Sequence, residues 1–349
     1  MTRPVRRGSS VFAVSAAAML AVVGTVSTAR ADDVADFYKG RTIAILIGVG
    51  LGGSYGTNAH LFSTVFKSKV PGQPNVIVQE MAGAGGAKMV NYLYNVAPKD
   101  GTVIALPLKY IAVNQALGLS GLKYDANKFN YIGSLGPINS VVAVWAATTP
   151  ARAIQDAMTK QVIVGSTGKS SETFMTPTLM NNLLGTKFKI VLGYKGTAAI
   201  HIAMERGELH GVAASWESVK GEKPDWLRDK KVILLAQSGI KRTSDLPNLP
   251  TLIDLAGTPE QKEILKFVAN GNAVGWMMMA PPRTPAERVA ALRMAFDATV
   301  KDPAYVASMR ARNLDVEPAT GAEVQALIKD TLSESPAMIA KIKTAMGME

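Results

Sequence analysis

The chain has 349 residues, with 38 lysines and arginines, 27 aspartates and glutamates, and no cysteine. Its formal net charge is +11 at pH 7, but the basic residues are scattered, whereas a nucleic-acid surface normally needs a clustered basic face. The composition therefore argues against nucleic-acid binding. The lack of cysteine excludes disulfides, thiol nucleophiles and cysteine-based metal sites.

Residues 1–31 have the pattern of a secretory signal peptide. Arg3, Arg6 and Arg7 precede the apolar run VFAVSAAAMLAVVGTV, and the segment 29–31 reads Ala-Arg-Ala, as at a cleavage site. Four of the positive charges belong to this segment. We expect export to a bacterial periplasm, through either the Sec or the twin-arginine route.

From residue 42 onward, short β-branched runs alternate with segments of helical period. The runs predicted as strands are TIAILIG, NVIVQE, TVIALP, QVIVG, FKIVLG, HGVAAS and KVILLAQ. Late in the chain, PAERVAALRMAFDATV predicts a helix and Trp276–Met279 a buried strand. This alternation predicts an α/β protein with mainly parallel sheets, and the length predicts two domains.

Two segments have the character of domain crossings. NYIGSLGPINSVVAVWAA runs extended past a Gly-Pro pair, and KVILLAQSGIKRTSDLPNLPT returns through a polar, proline-rich stretch. We therefore predict one discontinuous lobe from residues 32–135 plus 240–349 and a second lobe from residues 136–239. Two crossings form a hinge, and a hinge between two α/β lobes makes a cleft.

The segment GVGLGG (48–53) follows a predicted strand and reads G-x-G-x-x-G. With Glu80 ending the next strand, it invites a dinucleotide-binding interpretation. An exported protein has no routine supply of free nicotinamide cofactor, so we expect no cofactor. An anion-binding or helix-capping turn is the alternative we favour for this motif.

Three glycine-rich turns follow predicted strands: LGGSYGTN (51–58), MAGAGGAK (81–88) and GSTGKSSET (165–173). A helix N-terminus at such a turn presents free N–H groups and a positive dipole end, which suits a phosphate or a carboxylate. Each turn alone is more simply a helix cap. Two turns facing each other across a cleft favour ligand binding.

The stretch NVIVQEMAGAGGAKMVNYLYNVAPKDGTVIAL resembles the signature of the Bug (TctC-like) extracytoplasmic solute receptors, which serve tripartite tricarboxylate transporters. YKGTAAIHIAMERGELHG, LPNLPTLIDLAG and MMMAPPRTPAERVAAL resemble further segments of that family, in the same order. The resemblance covers essentially all of the chain after residue 31. It implies a type II-like periplasmic binding protein whose two α/β lobes close around a small organic acid.

The resemblance also implies where a ligand carboxylate binds. It points to the loop after the first strand and to a Gly/Ser loop of the second lobe; with the second glycine turn, the candidates are Gly52, Gly53, Ser54, Tyr55, Gly56, Ala84, Gly85, Ser166, Thr167, Gly168, Lys169, Ser170 and Ser171. Tyr194 and Trp216 follow strands of the second lobe and are added as residues that could reach the cleft. Lys169 could pair with a carboxylate, although a solvated lysine is commoner, and Trp216 could equally be a core residue.

Two positions depart from the family pattern. Gly56 stands where relatives usually carry aspartate, and His60 where they commonly carry arginine. Loss of the acid makes a simple amino acid a less expected ligand. His60, His201 and His210 show no metal-ligand spacing, so no metal site is expected.

These features predict a monomeric periplasmic receptor that captures a carboxylate ligand and delivers it to membrane permease subunits, without chemistry. A periplasmic hydrolase or transferase using the same cleft is the alternative, and a sensory module would use the same binding chemistry. Aromatic acids, dicarboxylates and tricarboxylates all remain open as ligands.

Overall fold

A computed structural model describes residues 33–348; the predicted signal peptide lies outside the described residues. Strands and helices alternate along the chain, as predicted. The strands are β1 (Thr42–Ile47), β2 (Asn75–Glu80), β3 (Val103–Leu106), β4 (Asn130–Ser134), β5 (Ser140–Trp145), β6 (Val162–Ser166), β7 (Phe188–Leu192), β8 (Gly211–Ser215), β9 (Val232–Gln237), β10 (Met277–Ala280) and β11 (Ala319–Thr320).

The helices are α1 (Ser54–Lys69), α2 (Ala87–Asn95), α3 (Ile111–Ala116), α4 (Ile154–Thr159), α5 (Glu172–Leu184), α6 (Thr197–Glu205), α7 (Trp216–Lys220), α8 (Pro224–Arg228), α9 (Pro259–Val274), α10 (Ala286–Val300), α11 (Pro303–Arg310), α12 (Gly321–Leu332) and α13 (Pro336–Ala345). Within the described residues, no helix combines the length and apolar character needed to cross a bilayer.

The strands form two sheets, and we call the part of the molecule around each sheet a lobe. The first lobe contains the six-stranded sheet in the order β11-β4-β10-β3-β1-β2, and the second the five-stranded sheet in the order β7-β6-β8-β5-β9. The predicted α/β class with two lobes is confirmed. The chain passes between the sheets over 135–139, after β4, and again after β9.

The sheets are mixed, so the expectation of mainly parallel sheets was wrong. β1 is parallel to β2 and β3, and β6 is parallel to β7 and β8. β5 and β10, however, run antiparallel to both of their neighbours. Parallel neighbours need a crossover that returns the chain to the same edge of the sheet. β5 instead enters its sheet directly from the other lobe.

Strand β1 shows why the run TIAILI forms a central strand. Ile43, Ile45 and Ile47 are fully buried in one core cluster, while Leu46 is buried in another. Both faces of the sheet are therefore covered, which is the setting of near-continuous apolar strands. In α10, Val289, Leu292, Phe296 and Val300 are buried, which confirms the predicted helix and its apolar face.

Part of the C-terminal segment packs on the second lobe. Ile264 and Phe267 of α9, together with Ile342 of α13, belong to the core cluster that contains Val142 and Val164 of the five-stranded sheet. The apolar faces of these two helices thus complete the second lobe's core, although they follow the last crossing segment in sequence.

Candidate functional site

A cavity of about 40 Å³ lies between the two lobes, where strands of both sheets end. Its wall is formed by the last residues of β8 and by residues that follow β1, β3, β4, β6 and β7. They are Val49, Gly50, Gly53, Ser54, Tyr55, Leu108, Lys109, Tyr110, Ile138, Thr167, Ser171, Glu172, Thr173, Thr197, Ala214 and Ser215. Ligands of open α/β sheets bind at the carboxyl ends of strands, so this cavity is the candidate site.

Three helix N-termini converge on the cavity. Ser54 begins α1, Glu172 begins α5 and Thr197 begins α6, and all three residues line the cavity. None of these helices has a side-chain cap on its first N–H groups. Unpaired N–H groups and the positive ends of helix dipoles favour an anion. The helices come from both lobes, so an anion here would contact both.

The G-x-G-x-x-G loop is tied down by its own N–H groups. Gly50 N donates to Lys195 O of the second lobe at 2.9 Å, and Leu51 N donates to the carboxylate of Glu80 at 3.1 Å. In a dinucleotide site such N–H groups would face the pyrophosphate and the acid would bind a ribose. Here the acid fixes the loop, which favours the capping and anion-binding interpretation of the motif.

Gly56 allows this loop to fold over the start of α1. A Cβ at this position would lie 1.8 Å from the carbonyl oxygen of Leu51. An aspartate at this position would therefore require a different loop conformation. His60, the other departure, is exposed on α1.

The second and third glycine turns fasten the lobes to each other. Gly85 N donates to Thr167 O at 3.1 Å, and the Ser170 hydroxyl donates to Ala84 O. The approach is so close that a Cβ on Gly168 would lie 2.4 Å from Gly85 N. We call these hydrogen bonds and the close approach of Gly85 and Gly168 the glycine contact. Gly85 N and the Ser170 hydroxyl, which the sequence suggested as ligand-binding groups, therefore bond the other lobe instead.

A buried ion pair also joins the lobes. Lys109 Nζ lies 2.8 Å from Glu172 Oε1 and donates to Ser140 Oγ at 2.8 Å. The lysine side chain is 2% exposed and the glutamate side chain 13% exposed. Burial lowers the pKa of the Lys109 ammonium, and the Glu172 carboxylate opposes that shift.

Hydroxyl groups complete the polar wall of the cavity. Ser54 Oγ and Ser215 Oγ, one from each lobe, are 3.1 Å apart. Thr173 Oγ1 accepts from Thr167 N at 3.0 Å and lies 2.7 Å from Ser171 Oγ. These bonds hold the start of α5 and the preceding turn in one arrangement. Apart from the ion pair, the polar part of the wall therefore consists of hydroxyl and backbone groups.

A family model described as "Tripartite tricarboxylate transporter family receptor" matches residues 65–344, most of the chain. The chain belongs to this family. The resemblance seen in the sequence is confirmed, and so is the expectation of a solute-binding receptor rather than an enzyme.

Solved structures show the same fold for this receptor. BugD, a periplasmic binding protein, is 20% identical, with a TM-score of 0.71 over 89% of this chain and 99% of its own. The R. palustris protein Rpa4515 with adipate is 19% identical, with a TM-score of 0.69 over 88% of this chain and 97% of its own. MatC from Rhodopseudomonas palustris with bound malate is 18% identical, with a TM-score of 0.68 over 86% of this chain and 99% of its own. No curated protein matches the chain.

The structure places the predicted site residues of this receptor in two groups. Five line the cavity: Gly53, Ser54, Tyr55, Thr167 and Ser171. The remaining ten lie outside its wall: Gly52, Gly56, Ala84, Gly85, Ser166, Gly168, Lys169, Ser170, Tyr194 and Trp216. Several of these, such as Gly85 and Ser170, support the wall through the glycine contact.

Two of the predicted aromatic contacts serve the receptor's core instead. Trp216 is 5% exposed, packs with Val141 and Val219, and donates its indole N–H to Asp245 at 2.7 Å. Tyr194 is half-buried against the second lobe, and its backbone N donates to Ser166 O. Lys169 is exposed.

The sequence interpretation missed Lys109, Glu172, Thr197 and Ser215. Each lies at the carboxyl end of a strand, shortly after one, or in the first turn of the helix that follows one. That position relative to a predicted strand is the signal in the sequence that could identify them. Among the described residues, no group of three or more histidine and acidic side chains could hold a metal ion.

Proposed function

We propose that this receptor binds a small organic acid through its carboxylate, by closure of the two lobes over the cavity. The observation that carries this proposal is the convergence of three uncapped helix N-termini from both lobes. A ligand that bridges the lobes stabilises the closed form by its greater affinity for that form. The relatives solved with adipate and with malate support a carboxylate ligand.

The energetics are sufficient for a receptor. Micromolar affinity requires about −8 kcal/mol. Hydrogen bonds to a charged carboxylate contribute about 1.5–3 kcal/mol each, so a few bonds from helix N-termini and hydroxyls, with some apolar burial, reach this value. No histidine is among the residues that line the cavity. A hydrolase or transferase in this cavity would therefore lack a histidine to act as general base.

We further propose that segment 1–31 directs export to the periplasm, where the receptor acts as a monomer and hands its ligand to membrane permease subunits. The proposed lobe boundaries remain near residues 136 and 240. Within the C-terminal segment, α9 and α13 pack against the core of the second lobe. Exposed residues of both lobes would form the docking rim.

The test is substitution of Gly53→Asp. This change adds a negative charge at the start of α1, and its Cβ would lie 2.7 Å from Thr197 Oγ1 of the other lobe. We expect isothermal titration of residues 32–349, stripped of co-purified ligand, to show loss of carboxylate binding with an unchanged circular dichroism spectrum.

The matched control is Gly257→Asp, because Gly257 is exposed and its Cβ would meet only Gln261 Oε1 at 3.5 Å. This variant should bind carboxylates as the wild type does. Equal affinity in the wild type and Gly53→Asp would refute the proposed site. A panel in which no carboxylate binds but NAD does would refute the proposed function.

A further inference from the structure

The wall of the cavity carries two oppositely charged side chains that already neutralise each other. Lys109 and Glu172 are the Lys, Arg, Asp or Glu residues among those that line it, and they form the 2.8 Å ion pair described above. The cavity is therefore close to electrically neutral before any ligand enters. Its remaining attraction for an anion comes from helix dipoles and N–H groups.

Both members of the pair are held where they are. Lys109 Nζ also donates to the Ser140 hydroxyl, which is 1% exposed, and lies 5.2 Å from the centre of the Tyr110 ring. Glu172 occupies the first turn of α5, where the helix dipole stabilises its negative charge. A ligand that took Lys109 from Glu172 would leave that largely buried carboxylate without its partner.

From this arrangement we propose that the receptor selects ligands with a single carboxylate and excludes di- and tricarboxylates. This inference rests on the proposed function and assigns its ligand class. The one carboxylate binds at the helix N-termini, and the Lys109–Glu172 pair stays intact as a neutral wall. A second carboxylate would meet no lysine or arginine in the wall other than Lys109, which is already paired, and uncompensated buried charge is strongly disfavoured.

The cavity's apolar lining fits the same class. Val49, Leu108 and Ile138 face it together with the rings of Tyr55 and Tyr110. Burial raises the pKa of Tyr55 and of Tyr110, so both phenols remain neutral. These groups can cover the uncharged part of a monocarboxylate but offer no compensation for a second ionised group.

The experiment compares chain-matched acids by isothermal titration against the wild-type mature receptor, stripped of co-purified ligand. The pairs are butyrate with succinate, valerate with glutarate, and hexanoate with adipate. We expect each monocarboxylate that binds to do so at least about tenfold more tightly than its dicarboxylate partner. Equal binding, or preference for the dicarboxylates, would overturn the inference while leaving the proposed function in place.

The variant Glu172→Gln frees Lys109 to accept a second carboxylate. The ratio of dicarboxylate to monocarboxylate affinity should rise by about tenfold. The ratio is the readout, because any loss of stability from the changed first turn of α5 affects both acids alike. An unchanged ratio would overturn the inference.

Glu260→Gln is the matched control for this variant. Glu260 also lies in the first turn of a helix, α9, and pairs with a lysine, Lys341, but both side chains are exposed. Its ratio should equal that of the wild type; a tenfold rise there as well would mean that net charge, not the buried pair, sets the preference. If no carboxylate of either class binds, the proposed function fails and this inference falls with it.

Discussion

The two lobes meet through two contacts of opposite chemistry. The glycine contact joins backbone groups of 84–85 to the backbone of 167–168 and to the Ser170 hydroxyl, leaves no room for a Cβ on Gly168, and involves no charge. The Lys109–Glu172 pair joins two charged side chains with their burial nearly complete. The first contact sets how closely the lobes can approach, because neither Gly85 nor Gly168 has room for a Cβ there. The second decides which charges the cavity between them can accept.

The largest expected effect is the loss of folding stability when the buried ion pair between the lobes is broken. Lys109→Met would leave Glu172 without its buried partner, and we expect the free energy of unfolding to fall by about 3–5 kcal/mol. Urea denaturation followed by tryptophan fluorescence measures this change. Lys341→Met removes the lysine of an exposed pair with Glu260 and should leave the midpoint unchanged. Equal losses in both variants would show that the buried pair contributes no more to the free energy of unfolding than the exposed pair does.

A smaller expected effect is the dependence of folding stability on pH, which reports on the buried carboxyl group next to the ion pair. Burial raises the pKa of Glu217 to about 7 from 4.5, and that group interacts electrostatically with both Lys109 and Glu172. A carboxyl with a raised folded-state pKa contributes stability that is full below pH 4.5 and is lost as pH rises through about 7. We expect the wild type to lose about 2 kcal/mol from this group between pH 5 and 8.

Glu217→Gln should remove the loss that develops between about pH 4.5 and 7 and is complete above pH 7. Glu222 supplies the comparison, because burial raises its pKa to about 8 and it lies outside the cavity wall. Glu222→Gln should remove a loss that starts in the same range but continues to about pH 8, so only this variant should flatten the profile between pH 7 and 8. Thermal unfolding from pH 5 to 9 measures both. A wild-type profile that rises with pH across this range would show the sign to be wrong.

The smallest expected effect probes the glycine contact. Gly168→Ala adds a Cβ 2.4 Å from Gly85 N at a φ of +145°, so the lobes cannot approach fully. We expect carboxylate affinity to weaken by about tenfold, which corresponds to about 1.4 kcal/mol. Gly185→Ala is the control for a glycine with positive φ (+72°), because a Cβ there would have nothing within 4 Å. Titration of both variants should show weakened binding only in Gly168→Ala.

Sequence patterns found part of the site in each lobe and missed part of it in each lobe. Gly53, Ser54 and Tyr55 were predicted and line the cavity, because a loop between a parallel strand and a helix always lies at the carboxyl edge of its sheet. Lys109 and Glu172 escaped prediction, since the two are 63 positions apart and nothing in either local pattern indicates the other. Trp216 was an open choice between site and core, and its packing decided for the core.

The sequence alone determined the alternation of strands and helices, the family and the glycine turns, because these depend on local period and on short motifs. The tertiary structure decided which turns face the cavity and which face each other, since that depends on how two lobes approach. It also brought Lys109 to Glu172. Charge balance in a buried site is a property of distance between residues remote in the chain, so no local pattern records it.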